Sequence, residues 1–210
     1  MTPTLLAIAV AYLLGSIVGS LVLGRFRGVD IRTQGSGNAG GTNALRTQGK
    51  GFAALVMLID VGKGVLAAGP LAVVAARWGG DLASLQVACG AAAVVGHVWP
   101  VFFGFRGGKG AATLVGVVGT IAPGALLALL GVFAVVLVLS GYVGLSTIIA
   151  TASLAAWALA AVPGGLASPF GVFAIGMTAF IVYTHRSNLA RLRAGKENRF
   201  ERVMLFRRRA

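Results

Sequence analysis

The chain has 210 residues, 57% of them hydrophobic and only 11% charged, with a mean hydropathy of +0.89. A soluble domain carries about a quarter charged residues, and apolar runs of roughly 20 residues are long enough to cross a hydrocarbon core, so a soluble globular protein is excluded. Eighteen Lys and Arg face five acids; in a membrane protein this excess marks the cytoplasmic side and anionic lipid, with no nucleic acid called for.

Taken in chain order, the apolar segments are 4–24, 52–76, 83–103, 111–122, 124–140, 144–162 and 167–184. The first is too long for a signal-peptide core and lacks a basic leader, so it is expected to stay as a helix. From residue 111 to 184 almost no charge interrupts the chain. The breaks there come from Ala122-Pro123-Gly124, Ser140-Gly141-Tyr142 and Pro163-Gly164-Gly165. These segments predict an all-α membrane protein, a polytopic bundle of seven transmembrane helices in one domain over 1–197, followed by a basic tail at 198–210. Six spans result if 111–140 is one long tilted helix.

Cation placement sets the topology. Residues 25–50 hold Arg25, Arg27, Arg32, Arg46 and Lys50; the 104–110 loop holds Arg106 and Lys109; and nine basic residues follow from Arg186 onward. Seven spans put all three on one side, with the N-terminus outside and the C-terminus in the cytoplasm. Frequent Gly, Ala, Ser and Thr fit close helix packing in lipid. Asp60 and Lys63, spaced i, i+3, can pair within the bilayer, as a structural ion pair or a catalytic one. The single cysteine, Cys89, gives neither a disulfide framework nor a metal cluster.

Three cytoplasmic segments have the composition of a site. Gly35-Ser36-Gly37-Asn38-Ala39-Gly40-Gly41-Thr42-Asn43, followed by Arg46, has no apolar stripe to bury. Its glycines allow a tight turn that aims N–H groups at an anion, its amides and hydroxyls add donors, and Arg46 can hold phosphate bidentately. Arg106-Gly107-Gly108-Lys109-Gly110 precedes a helix, which is a seat for phosphate. It is not a Walker loop, because Phe103 stands where the first Gly belongs and Gly110 follows the Lys. In His185-Arg186-Ser187-Asn188, with Arg191 beyond, His185, Asn188 and Arg191 share a face if the last helix continues. Ser146 is a further candidate at the cytoplasmic start of the sixth span, and His97, three residues before Pro100, reads as structural.

The missing residue types narrow the chemistry. Five scattered acids make no multi-carboxylate metal site, no Cys lies beside a His, and neither His has an aspartate after a four-residue gap: Phe102 and Ala190 stand there. No metal and no cofactor is expected. The chemistry falls to cations and amide donors.

The segments together resemble the bacterial acyl-phosphate:glycerol-3-phosphate acyltransferase family, the membrane enzymes called PlsY. The match runs in order through Gly15-Ser16-Ile17, Asp30-Ile31-Arg32, Gly35 to Asn43, Leu45-Arg46, Asp60-x-x-Lys63-Gly64, Gly96-His97-x-x-Pro100-Val101-Phe102, Gly107 to Gly110 with Ala112-Thr113, and His185-Arg186-x-Asn188 with Arg191-Leu192 and Gly195-x-Glu197. Gly41 replaces a common Ala, Val18-Gly19 replaces a Pro-containing step, and the tail is longer and more basic.

The resemblance implies a seven-helix enzyme of the bacterial inner membrane, facing the cytoplasm and acting as a monomer. It would move a fatty acyl group from acyl phosphate to the sn-1 hydroxyl of glycerol 3-phosphate without a covalent acyl-enzyme, leaving lysophosphatidic acid and phosphate. Ser36, Gly37, Asn38, Thr42, Asn43 and Arg46 would hold one phosphate; Lys109, with Gly107, Gly108 and Gly110, the other; Arg186 would add a phosphate contact. His185, Asn188 and Ser146 complete the catalytic set, with His185 or the substrate's own phosphate as base. The alternative is a membrane transporter for small organic phosphates, but no pair of half-helices at mid-membrane is expected in this sequence.

Overall fold

The computed structural model describes residues 3–205, and every regular element among them is helical. Residues 206–210, part of the basic tail called at 198–210, lie outside the described residues. The chain forms two compact units, Met1–Ala122 and Pro123–Ala210.

In the first unit, α1 (Pro3–Gly15) and α2 (Gly19–Phe26) follow one another with a 47° bend. The expected 4–24 segment is therefore two helices and not one continuous span. The bend falls at Ser16-Ile17-Val18, where backbone groups lose their helical partners. They are satisfied from outside: the Gly19 N–H donates to Asp60 Oδ1 at 3.1 Å and the Ile17 carbonyl accepts from Lys63 Nζ at 2.9 Å. A short helix α3 (Gly41–Gln48) leads through Gly49, at φ 83°, into α4 (Lys50–Leu66). A π-helical turn at Ala67–Leu71 continues α4 into α5 (Ala72–Ala76) and absorbs Pro70, which has no N–H to give and crowds the preceding turn. Helix α6 (Leu82–Val98), capped by Asp81 onto the Ser84 N–H, and α7 (Ala111–Ile121) complete the unit.

Small residues bring these helices together. A Cβ on Gly15 would strike the Ala93 carbonyl, and one on Gly96 the Tyr12 carbonyl, so α1 and α6 touch backbone to backbone. Gly64 against Thr113, and Gly116 against Val61, do the same for α4 and α7. Around the first contact Ala7, Ala11, Ala67, Ala72, Leu85, Cys89 and Ala93 form a buried cluster. Cys89 packs as a small apolar residue.

The second unit holds α8 (Pro123–Ser140), α9 (Val143–Ala161), α10 (Pro169–Thr184) and α11 (Arg186–Arg193). Gly141 at φ 75° turns α8 into α9, and Ser168 caps α10 by accepting from the Gly171 N–H at 3.0 Å. Residues 199–205 fold back on the α8–α9 turn. Phe200 N donates to the Gly141 carbonyl at 2.8 Å, and the Arg199 guanidinium lies over the Tyr142 ring.

Among the described residues, four runs are long and apolar enough to cross a membrane: Lys50–Ala76, Leu82–Phe103, Pro123–Ser140 and Val143–Ala161; the bent α1–α2 pair adds a fifth if it is taken as one span. Ala111–Ile121 and Pro169–Thr184 are apolar but shorter. At about 1.5 Å per residue, the 11-residue α7 covers roughly half of a 30 Å core. Large exposed side chains such as Leu58, Leu127, Val135, Leu159 and Val172 suit contact with lipid.

Candidate active site

The Gly/Asn loop of the first unit folds around Asn43. This side chain, 1% exposed, accepts from the Ser36 N–H at 2.9 Å and donates through Nδ2 to the carbonyls of Ile31 and Gln34. Both amide hydrogens are used, so Asn43 shapes the loop and has no donor left for an anion. That corrects its expected place among the phosphate ligands. Gly35 and Gly37, at φ 56° and 71°, make the turn that carries Ser36 to the surface. The exposed Ser36 and Gly37, the half-buried Asn38 and Thr42, and the exposed Arg46 are left accessible. Thr42 and Arg46, one helical turn apart on α3, lie on one face. Arg46 has no ion pair among the described residues.

Arg32 joins this loop to the next. Its guanidinium grips both oxygens of Asp30, the shortest contact at 2.8 Å, and donates through one terminal nitrogen to the carbonyls of Phe103 and Arg106, both at 3.0 Å. Hydrogen bonding to Arg32 holds the Asp30 carboxyl below its ordinary 3.8, and the same contact raises Arg32. Sequence reasoning matched Asp30-x-Arg32 but gave it no task; the available signal was one acid and one base spaced to close a short turn.

The glycine loop before α7 is laid on the end of α6. The Gly107 and Gly108 N–H groups donate to the Val98 and His97 carbonyls at 3.0 and 3.1 Å. Neither amide can then serve an anion, contrary to the expected phosphate seat. A Cβ on Gly107 would meet the His97 carbonyl, one on Gly108 the His97 ring, and one on Gly110, at φ 87°, the Val94 side chain. These glycines allow close approach to α6. Lys109, half-buried, stands between two of them, immediately before the N-terminus of α7.

Below this loop lies a buried polar group. Lys63 Nζ contacts Asp60 Oδ1 at 2.9 Å, the Ile17 carbonyl at 2.9 Å and His97 Nδ1 at 2.8 Å. Its three hydrogens meet three acceptors. The i, i+3 ion pair is as expected; His97 as its third member is not visible from sequence spacing.

In the second unit, His185 ends α10. Its Nδ1 lies 2.9 Å from the Ile181 carbonyl, an acceptor only, which places the proton on Nδ1 and a lone pair on Nε2. One turn on, Asn188 donates through Nδ2 to Glu197 Oε1 at 2.6 Å, while Arg191 Nε reaches Glu197 Oε2 at 2.7 Å. Asn188 and Arg191 share Glu197 as their partner, while His185 stands at the break between α10 and α11, so the helix does not continue unbroken through the three. Asn188 packs so closely on Gly144 at the start of α9 that a Cβ there would overlap it. Ser146, the further expected member of the catalytic set, is fully buried and donates to the Tyr142 carbonyl at 2.9 Å, which leaves its oxygen able to accept. The Arg186 guanidinium lies over the Tyr183 ring and donates to the Tyr183 carbonyl at 3.0 Å. Among the described residues no group of three His, Cys, Asp or Glu is arranged for a metal ion.

Residues 5–195 match the family described as Glycerol-3-phosphate acyltransferase. A glycerol-3-phosphate acyltransferase of Synechococcus sp. (strain CC9902) is 41% identical over 197 residues, covering 93% of this chain and 94% of that protein. Among solved structures, the crystal structure of PlsY (YgiH), an integral membrane glycerol 3-phosphate acyltransferase in its glycerol 3-phosphate form, aligns with a TM-score of 0.83 at 39% identity, covering 94% of this chain and 95% of that one. Its lysophosphatidic acid form aligns at 0.81 and 38% identity, covering 93% and 94%.

Proposed function

We propose that this chain, which belongs to the glycerol-3-phosphate acyltransferase family, moves a fatty acyl group from acyl phosphate to the sn-1 hydroxyl of glycerol 3-phosphate. The products are lysophosphatidic acid and inorganic phosphate. The observation that carries the proposal is the exposed Ser36–Arg46 face on a loop tied by Arg32 to the segment that presents Lys109. Two such cationic elements suit two phosphorylated substrates. That the related crystal structures are of a glycerol 3-phosphate form and a lysophosphatidic acid form supports the same substrate and product.

In this mechanism the sn-1 oxygen attacks the acyl carbonyl, the carbon–oxygen bond to phosphate breaks, and phosphate leaves. Acyl phosphate is an activated mixed anhydride, so the transfer does not demand an acyl-enzyme. The protein holds two anions in register and stabilises the developing charge. Ser36, Gly37, Asn38, Thr42 and Arg46 bind one phosphate; Lys109, with the α7 N-terminus opened by Gly110, binds the other. His185 and Asn188 orient glycerol 3-phosphate, and the hydroxyl proton passes to His185 Nε2 or to the substrate's phosphate. The seven-span topology, with the N-terminus outside and the site facing the cytoplasm of a bacterial inner membrane, belongs to the same proposal and rests on the cation distribution. So does action as a monomer.

Purified protein given acyl phosphate and labelled glycerol 3-phosphate, without CoA, should form lysophosphatidate. Absence of product, with uptake of glycerol 3-phosphate into vesicles holding the protein, would support the transporter instead. The break in the first span does not favour transport, since Lys63 and Asp60 already satisfy its open backbone groups.

A further inference from the structure

A buried charge pair is a poor way to gain stability. Removing two ions from a polar medium costs so much that apolar residues of similar volume often hold helices together better. Asp60 and Lys63 are 0% and 4% exposed, within an apolar run that is long enough to cross the membrane. They therefore invite the question of what their specific geometry does that packing alone would not.

Lys63 directs one of its hydrogens to His97 Nδ1 at 2.8 Å, which makes Nδ1 the acceptor and leaves the ring proton on Nε2. Asp60 Oδ1, 3.4 Å from the same ring nitrogen, holds Lys63 Nζ at 2.9 Å and so fixes the donor that His97 accepts from. The ring, 2% exposed, is thus oriented through its inner edge. Its outer edge faces Gly108: the three atoms nearest a Cβ built there are Nε2, Cδ2 and Cε1 of His97. The backbone of the same residue accepts the Gly108 N–H. Gly108 is not in the left-handed region, so nothing in its own conformation demands glycine; the His97 ring does. The next residue is Lys109.

We propose that His97, oriented by Lys63 and Asp60, is the positioning residue for the Gly107–Gly110 loop and fixes where Lys109 presents its charge. The proposal rests on the reading that Lys109 acts on a substrate phosphate. Asp60 and Lys63 also satisfy the backbone at the α1–α2 break, so one polar group sets both the bend of the first helix pair and the seat of the catalytic loop.

His97→Asn separates the two ring edges. Asn keeps an acceptor near the Nδ1 position for Lys63 but lacks the outer edge that meets Gly108. The full-length enzyme should keep its melting temperature in detergent and lose on the order of 100-fold in kcat/KM, the size of loss that misplacement by about 1 Å produces. His97→Leu, with no acceptor, should lose activity and melting temperature together. Gly108→Ala should be as damaging in the native background through its clash with the ring. In the His97→Asn background the added methyl finds the vacated space, so Gly108→Ala should cost no more than about twofold further, the signature of coupled neighbours.

Equal losses from Gly108→Ala in both backgrounds would overturn the proposal, as would native Michaelis parameters in His97→Asn. Lys109→Ala distinguishes the two levels. If it retains native rates, the reading of Lys109 itself fails; if it is inactive while His97→Asn is normal, only the positioning role fails.

Discussion

Glu197 accepts a 2.6 Å hydrogen bond from Asn188 on one carboxylate oxygen and a 2.7 Å bond from Arg191 on the other, with its side chain only 7% exposed. The acid therefore determines which way the Asn188 amide faces. Glu197→Gln presents an amide donor to at least one of two donors. Losing a hydrogen bond to a charged group costs about 1.5–3 kcal/mol. If that loss falls on the transition state, kcat/KM drops roughly 10- to 100-fold. Steady-state kinetics on purified protein measure it, and a variant within twofold of native would mean that Asn188 does not depend on this anchor.

Arg46→Ala and Lys109→Ala should each cut turnover by roughly 100- to 1,000-fold, the usual loss when one preorganised charge-stabilising donor is removed. Arg46 is exposed and Lys109 half-buried, so membrane expression should stay at the native level. Arg46→Lys should restore only part of the rate, because an ammonium holds phosphate as a point charge and not as a two-pronged fork. Near-native rates in either alanine variant would rule out electrostatic holding of the substrates by these loops.

The Asp30–Arg32 pair makes the clamp between the two loops sensitive to acid. The folded Asp30 carboxyl titrates below its ordinary 3.8 because Arg32 hydrogen-bonds to it. A depressed carboxylate contributes stability that is fully present above the unfolded value and is lost as pH falls through the folded one. The contribution should therefore persist down to the unfolded carboxylate range and disappear only below it. With the Asp30 side chain 42% exposed, solvent screening keeps it small. Melting curves from pH 6 downward should show Asp30→Asn slightly less stable than native at pH 6 and level with it once the native carboxyl has protonated. A gap that stays constant across the range would exclude the pair as its source.

What could be read from sequence follows from how far each signal reaches along the chain. The turns at Pro123, Gly141 and Gly164 were visible because a Pro at a helix start and Gly at positive φ are local requirements. The bend after Gly15 was not, since it depends on Asp60 and Lys63, more than 40 residues away, accepting and donating in place of the missing helical bonds. The glycines of the Gly107–Gly110 loop stand out in the sequence, but the cause of two of them does not: the Gly107 and Gly108 N–H groups answer to the carbonyls of α6. Asn43 shows the same limit. Composition places an amide in an anion-binding loop, while only three-dimensional structure reveals that its hydrogens are already used by Ile31 and Gln34.

The fate of the hydroxyl proton turns on His185. Donation from Nδ1 to the Ile181 carbonyl, with Thr184 Oγ1 also within 3.2 Å, fixes the ring so that Nε2 is the basic nitrogen. An imidazole held in one tautomer is well prepared to act as a general base, a role that contributes about 10²- to 10⁴-fold. Glutamine can fill much of the space and make hydrogen bonds but cannot take up the proton. If His185 is the base, His185→Gln lowers kcat by that range and leaves KM for glycerol 3-phosphate within a few-fold of native. If the substrate's phosphate takes the proton, kcat holds and KM rises, because only ground-state binding has been lost. The first pattern is expected from the fixed tautomer; the second would assign the base to the substrate and leave His185 as an orienting donor or acceptor.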